Sequence, residues 1–281
     1  MILKKAAVIG YPVKHSSSPK LHNFWLKSYN IKAEYGFLET KPEDFEKTIL
    51  SLKDSGYVGV NITVPYKENA FDIVDMRSEA AINTGAVNTI YFDETGNMQG
   101  TNTDPYGFLR NIVSSQENFE FKAGKAVVIG AGGAARAVVA ALVVDKATDV
   151  IIVNRTREKA EDIKKQMQGL GAGKIEVANW NERNDVLEGA NLLVNTTTLG
   201  MEGQPLLDIS LNKLPKSALV NDIVYKPRET QLLRNAGLRG NQVVDGLGML
   251  LYQAQLSFKF WFGIEPEVND ILREYILATN N

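Results

Sequence analysis

The sequence predicts an α/β protein built on a doubly wound parallel sheet, and three observations carry that expectation. Short β-branched runs alternate with helical patterns along most of the chain, the order that builds a mostly parallel sheet with helices on its faces. One run, Val127-Val128-Ile129, ends in Gly130-Ala131-Gly132-Gly133 and passes at once into an alanine-rich helical stretch at residues 134–144. The runs after it are mainly apolar throughout, as strands buried on both faces must be. At 281 residues the chain has room for two domains and a sizeable core.

The elements follow in order. Ala6-Ala7-Val8-Ile9 is a first strand, closed by Gly10-Tyr11-Pro12. A polar loop leads into a helix running toward Tyr29, with Ser18 expected as its N-cap and Pro19 in its first turn. Tyr35-Gly36-Phe37-Leu38 is a second strand, and Pro42 opens a helix whose Phe45, Ile49 and Leu52 share one face. Residues 58–64 form a third strand, in which Asn61 and Thr63 alternate with Val60, Ile62 and Val64 and so share a face near its end. Residues 86–91 are another strand, with a turn at residues 94–97. Thr101-Asn102-Thr103-Asp104-Pro105 marks the crossing into a second domain, with further strands at residues 150–153, 175–177, 192–195, 218–221 and 242–244. The last helical pattern, residues 249–261, carries Leu250, Leu251, Ala254, Phe258 and Trp261, more apolar surface than the edge of that domain needs. It is expected to return to the first domain, giving divisions at 1–103, 104–248 and 249–281.

Composition removes several classes of function. Hydrophobic residues make up 44% and charged residues 23%, an ordinary globular balance. A net charge of −2 offers no electrostatic case for nucleic acid or an anionic membrane. The absence of cysteine excludes disulfides, thiolate chemistry and cysteine metal sites, and it suits the cytoplasm. No apolar run approaches the ~20 residues that span a bilayer, and the start, Met1-Ile2-Leu3-Lys4-Lys5, leads into a strand without a signal-peptide core. His15 and His22 have no cluster of ligands around them, so no metal is expected. Tyr11, Phe37 and the aromatics near Trp261 read as packing residues.

The glycine turn fits the G-x-G-x-x-G/A fingerprint of a dinucleotide site, with Gly130, Gly132 and Ala135 in the three places and Ala131, Gly133 and Ala134 between them. Gly130 permits the sharp turn, Gly132 lets the backbone approach a pyrophosphate, and Ala135 lets helix and strand pack closely. The helix start offers N–H groups and the positive end of its dipole. After the next strand an NAD site would place an acid; here stand Asn154-Arg155-Thr156-Arg157-Glu158-Lys159. A guanidinium pairs with a 2′-phosphate and stacks on adenine, so the cofactor expected is NADP. The competing reading, solvated charges opening a helix, works against the helix dipole.

Ser16, Ser18, Asn61, Thr63, Lys67, Asn88, Asp104 and Gln255 are polar, and most lie at predicted strand ends or in the loops beyond, where open α/β sheets bind ligands. Hydroxyls, amides, one cation and one carboxylate suit a small polyhydroxylated carboxylic acid. Taken singly, each also fits a plain role as cap or turn former.

Together the motifs resemble the shikimate dehydrogenase family. They are Gly10-Tyr11-Pro12-Val13-x-His15-Ser16-x-Ser18-Pro19, Asn61-Ile62-Thr63-Val64-Pro65-Tyr66-Lys67, Gly85-Ala86-Val87-Asn88-Thr89 and Gly100-Thr101-Asn102-Thr103-Asp104, followed by the glycine turn and Asn154-Arg155-Thr156. Asp222-Ile223-Val224-Tyr225-x-Pro227 and Asp245-Gly246-x-Gly248-Met249-Leu250-x-x-Gln253 complete the set across essentially the whole chain. The resemblance implies that Ser16 and Ser18 hold a substrate carboxylate, with Tyr225 near it. It implies that Asn61, Thr63, Asn88, Asp104 and Gln255 bind ring hydroxyls, and that Lys67 and Asp104 are the catalytic pair. Asn154, Arg155, Thr156 and Lys159 would surround the 2′-phosphate; Ile223, Gly246 and Met249 would line the nicotinamide pocket. Thr196 belongs to the loop Asn195-Thr196-Thr197-Thr198-Leu199-Gly200-Met201 that touches cofactor in the family, Thr198 standing where Pro or Ser is usual. The resemblance also implies a substrate domain formed by both chain ends. The activity implied is reversible NADPH-dependent reduction of 3-dehydroshikimate to shikimate, in chorismate and aromatic amino-acid biosynthesis, by a monomer or homodimer. A quinate/shikimate dehydrogenase of broader scope, or a ligand-sensing member without turnover, are the alternatives.

Overall fold

The computed structural model describes residues 3–146 and 148–278. The chain divides into two units: one takes it to Thr103 and again from Leu251, the other is Asp104–Leu250.

The first unit begins with β1 (Lys4–Gly10), α1 (Ser18–Ser28), β2 (Ala33–Glu39), α2 (Phe45–Ser51), β3 (Tyr57–Ile62) and α3 (Lys67–Ile73). It continues with β4 (Met76–Arg77), α4 (Glu79–Thr84), β5 (Thr89–Phe92) and β6 (Met98–Thr101). The sheet order is β2-β1-β3-β5-β6-β4. The ladders β1–β2, β1–β3 and β4–β6 are parallel, but β5 runs antiparallel to β3 and β6. The reversal follows from chain length. Only the Asp93–Asn97 turn joins β5 to β6, too short for a parallel crossover, and Asp93 Oδ1 clamps it by accepting from the Thr95 N–H (2.9 Å), the Thr95 hydroxyl (2.7 Å) and the Asn97 N–H (2.9 Å). Ile9, Val60, Ile62 and Ile90 form a buried layer with Phe45, Ile49 and Leu52, the stripe read from the sequence.

Three local expectations are corrected. Ser18 is the first residue of α1, not its cap; Ser17 takes the cap position without a side-chain bond, while Ser16 Oγ accepts from the Ser18 N–H at 3.2 Å. The third strand stops at Ile62, and Val64 beyond it is 71% exposed, because the chain turns at Pro65 before alternation can bury it. Tyr11 and Phe37 lie on the surface rather than in packing positions.

The second unit runs α5 (Asp104–Ser115), β7 (Lys125–Ile129), α6 (Gly133–Ala140), a π-helical turn over Ala141–Asp145, β8 (Val150–Val153) and α7 (Arg157–Met167). It ends with β9 (Ile175–Ala178), β10 (Ala190–Asn195), β11 (Leu219–Asp222), α8 (Gln231–Leu238) and β12 (Gln242–Val244). All its ladders are parallel, in the order β12-β11-β10-β7-β8-β9. Along β7, Ala126 and Val128 face one core while Val127 and Ile129 face the other, which is why that strand reads as an unbroken apolar run. The chain order reverses between β7 and β10, the crevice where such sheets bind ligands.

α9 (Leu247–Phe262) carries the chain back to the first unit, followed by α10 (Asp270–Leu277). Trp261 donates from Nε1 to the Ile90 carbonyl at 2.9 Å. This approach requires Gly59, where a Cβ would come within 2.2 Å of both that carbonyl and the indole nitrogen. His22 lies against Tyr35 (4.2 Å between ring centroids, stacked), Trp25, Phe258 and Trp261. Both its ring nitrogens are buried with no hydrogen bond of normal geometry among the described residues, and burial, opposed by the Asn61 side chain, lowers its pKa to about 3.

Candidate functional sites

In the first unit, side chains form a connected cluster at the ends of β3, β5 and β6. Asn61, in register with Val8 on one side and Thr89 on the other, is buried with both ends of its amide engaged. Its Oδ1 accepts from the Tyr35 hydroxyl (2.7 Å), and its Nδ2 donates to the Asn88 carbonyl (3.3 Å), Thr89 Oγ1 (3.1 Å) and Ser257 Oγ (3.1 Å). Asn88 Oδ1 accepts from the Thr103 N–H (2.8 Å), the Thr103 hydroxyl (3.1 Å) and the Thr89 hydroxyl (2.9 Å). Burial pushes the Tyr35 phenol well above its usual range, with the Ser18 hydroxyl acting against it. Thr63 follows β3 and packs over Gly10, where a Cβ would meet its methyl at 2.5 Å. Lys67 opens α3, and its carbonyl accepts from Val87 N–H at 2.8 Å, tying it to the segment before Asn88. The six residues Ser16, Ser18, Asn61, Thr63, Lys67 and Asn88 therefore share one edge of this unit.

Gln255, expected to bind a ring hydroxyl, is buried. Its Nε2 donates to the Pro266 carbonyl at 2.7 Å, so it fastens α9 to the following segment. Gln253 reaches the cluster: its Oε1 accepts from Thr103 Oγ1 at 3.5 Å, and its carbonyl accepts from the Ser257 hydroxyl. The signal was in the helical period. Gln253 and Ser257 are four residues apart and share a face, whereas a residue two further on points about 200° away. Tyr35 and Ser257 are the other members that motif reading passed over; neither belongs to a polar run.

In the second unit the polar edge is made largely of backbone. Gly130 turns with φ +118°, and a Cβ there would meet Thr196 Oγ1 at 2.5 Å. Thr196 spends both its N–H (2.8 Å) and its hydroxyl (2.7 Å) on the Ile129 carbonyl. Gly132 caps α6, and a Cβ on Gly132 or Gly133 would meet nothing within 4 Å, so the turn and helix start face open space. Ala131 and Ala134 are half-buried beside them, and Ala135 is fully buried, as close helix packing requires. Past β8, Arg155 and Lys159 are exposed, and neither pairs with a carboxylate among the described residues. Asn154 Nδ2 donates to the Thr156 carbonyl (2.7 Å), and Thr156 caps α7 without a side-chain bond. Arg157 is turned away, donating to Asn179 Oδ1 (3.0 Å), Glu161 Oε1 (2.8 Å) and the Val177 carbonyl (3.2 Å). An open glycine turn beside an acid-free, cationic strand tip fits a phosphorylated dinucleotide.

The remaining loops of this edge are pinned by buried amides. Asn221 Nδ2 donates to the Val244 carbonyl (2.9 Å) and Asn111 Nδ2 to the Asp245 carbonyl (2.7 Å), holding the turn into Gly246 and Met249. Gly246 is close under Ile223, whose carbonyl a Cβ would meet at 2.0 Å. Tyr225 is half-buried on the loop after β11, and Asp104 is buried at the start of α5. Among the described residues no three His, Cys, Asp or Glu side chains gather to hold a metal, and no helix is long and apolar enough to cross a membrane.

Three family models match in chain order: the shikimate dehydrogenase substrate binding domain at residues 8–90, shikimate/quinate 5-dehydrogenase at 113–224, and the shikimate 5′-dehydrogenase C-terminal domain at 246–274. A shikimate dehydrogenase (NADP(+)) of Paramagnetospirillum magneticum is 47% identical over 273 residues, 97% of this chain and 98% of its own. Among solved structures, a shikimate 5-dehydrogenase from Thermus thermophilus in complex with NADP(H) and shikimate superposes with a TM-score of 0.85 at 33% identity, over 99% of each chain. A quinate dehydrogenase from Corynebacterium glutamicum in complex with NAD superposes with a TM-score of 0.91 at 29% identity, also over 99% of each.

Proposed function

This chain belongs to the shikimate dehydrogenase family, and on that premise we propose that it interconverts 3-dehydroshikimate and shikimate with NADP(H), in the cytoplasm, as a step of aromatic amino-acid biosynthesis. The observation that carries turnover, rather than binding alone, is that Lys67 and Asp104 are both present, each as the first residue of a helix that follows a strand.

When bound, NADP supplies the hydride acceptor or donor, but no proton. The protein must therefore handle the hydroxyl proton. In reduction, the Lys67 ammonium gives a proton to the oxygen of the forming alcohol; in oxidation, the neutral amine takes it. Asp104 is the second member of the catalytic pair and accepts from a ring hydroxyl. Ser16 and Ser18 hold the carboxylate, with Tyr225 near it, and Thr63, Asn88 and Gln253 bind the ring hydroxyls. Asn61, its amide already engaged by Tyr35, Thr89 and Ser257, acts chiefly by setting Asn88 and Thr89. Gly130–Ala134 hold the pyrophosphate; Asn154, Arg155, Thr156 and Lys159 hold the 2′-phosphate; Thr196, Ile223, Gly246 and Met249 flank the nicotinamide.

The likeness to a quinate dehydrogenase solved with NAD supports a second reading, a broader substrate scope. The residues past β8 oppose its cofactor, since no acid awaits a free ribose hydroxyl. Turnover with shikimate and quinate, each crossed with NADP and NAD, tests both. The expected order puts shikimate with NADP first. Equal rates on quinate favour the broader enzyme, and no turnover with any pair leaves a ligand-sensing protein.

A further inference from the structure

Asp222 ends β11 and is fully buried. It is in register with Asn195, the last residue of the neighbouring strand β10. Its Oδ1 accepts from Asn195 Nδ2 (3.0 Å) and from the Val224 N–H (3.1 Å); its Oδ2 accepts from the Thr230 hydroxyl (2.7 Å). Each donor controls a different piece of the strand edge. Asn195 organises the loop after β10: its Nδ2 also donates to the Leu199 carbonyl (3.0 Å), and its Oδ1 accepts from the Thr197 N–H (3.1 Å) and hydroxyl (2.7 Å). Val224 begins the loop after β11, next to Ile223, whose N–H donates to the Asn195 carbonyl (3.1 Å). Thr230 caps α8 by accepting from Leu233 N–H.

We propose that Asp222 is a positioning residue for cofactor binding: one buried carboxyl joins the loops after β10 and β11 to the start of α8, and so holds Thr196 and Ile223 in place at the dinucleotide edge. The proposal rests on the reading that this edge takes NADP. Three donors converge on a group that touches no solvent, so its removal strands all three in the interior. Thr197 and Leu199 would lose the anchor that sets Asn195, and Thr196, which fills the space above Gly130, would be held only by its two bonds to the Ile129 carbonyl. Burial pushes the Asp222 carboxyl up from its ordinary range, opposed by its Thr230, Val224 and Asn195 donors. A neutral isostere of the same shape keeps part of this arrangement. An amide oxygen accepts from Asn195 and Val224, and the amide nitrogen can donate to the Thr230 oxygen, but the Thr230 hydroxyl proton loses its acceptor.

The test measures the dissociation constant for NADP by calorimetry without substrate, beside the Michaelis constant for shikimate and the unfolding temperature. Asp222→Ala should weaken NADP by about 10-fold or more, the size expected when buried donors lose an acceptor, with the shikimate constant at saturating NADP changing less than about twofold. Asp222→Asn, which leaves only the Thr230 hydroxyl without its acceptor, should recover part of the affinity, which a carboxylate acting by charge alone would not allow. Should Asp222→Ala fail to fold, Thr230→Val removes one donor to Asp222 together with the α8 cap and should produce a smaller loss of NADP affinity. A folded Asp222→Ala or Thr230→Val protein with wild-type NADP affinity overturns the proposal, as does a lowered unfolding temperature with affinity unchanged. A wild-type chain that binds NADP but turns over no shikimate overturns the reaction assigned above and leaves this comparison standing.

Discussion

The two units present polar edges built on opposite plans. In Asp104–Leu250 the edge is mainly backbone: a turn at Gly130, two exposed glycines facing open space, and a helix start. In the other unit it is a side-chain lattice in which Tyr35, Asn61, Asn88, Thr89, Thr103 and Ser257 satisfy one another before any ligand arrives. A backbone site needs a few small residues in strict succession, so it is written in one short stretch of sequence. A lattice site draws single residues from β2, β3, β5 and α9, and no stretch contains it. The lesson is that a fingerprint reports how a site is built as much as what it binds.

The largest test of that contrast is Lys67→Ala. If the lattice positions and Lys67 reacts, turnover should fall roughly 10²–10⁴-fold, typical for a lost proton-transfer group, while NADP affinity and unfolding temperature stay near wild type. Turnover within a few-fold of wild type would make Lys67 a binding group only and leave the proton to Asp104 or water.

Arg155→Ala probes a cationic side chain proposed to give the backbone-built edge its selectivity. NADP binding should weaken by roughly 1.5–3 kcal/mol, the range for a hydrogen bond to a charged group, and NAD kinetics should hardly move. Equal losses with both cofactors would show that Arg155 does not read the 2′-phosphate.

The lattice unit should also carry an acid liability that the other does not share. His22 stays neutral to about pH 3, whereas in the unfolded chain it takes up a proton near pH 6.5. Between those values the unfolded state holds more protons, so the stabilisation is present above pH 6.5 and is lost as pH falls toward 3, by about 1.4 kcal/mol per unit. Urea unfolding at pH 7 and pH 5 should show wild type losing roughly 2 kcal/mol more than His22→Phe. Parallel losses in the two proteins would mean that His22 is not the group responsible.

The smallest effect separates two neighbours on α9. Gln253→Ala should raise the Michaelis constant for shikimate by about fivefold, equivalent to roughly 1 kcal/mol for one hydrogen bond, without altering NADP binding. Gln255→Ala should leave that constant unchanged and lower stability through the lost bond to Pro266. The reverse pattern would restore Gln255 to the site.

Much of this protein was legible in one dimension. The strands of Asp104–Leu250 were readable because burial on both faces demands unbroken apolar runs, as Val127 to Ile129 and Val150 to Val153 display. The glycine turn and the cation after β8 were readable because they are local. The stripe Phe45, Ile49, Leu52 was readable because its period is that of a helix. What only tertiary structure decided are relations between distant residues: the antiparallel place of β5, the bonds of Gln253 to Thr103 and of Gln255 to Pro266, the burial of His22 among four rings, and the three donors that meet on Asp222. The physical reason is common to all of them. Hydrophobic period and turn chemistry act between near neighbours along the chain, whereas the pairing of a buried polar group is settled by whichever partner packing brings within 3 Å, and in the case of Asn61 and Ser257 that partner lies 196 residues away.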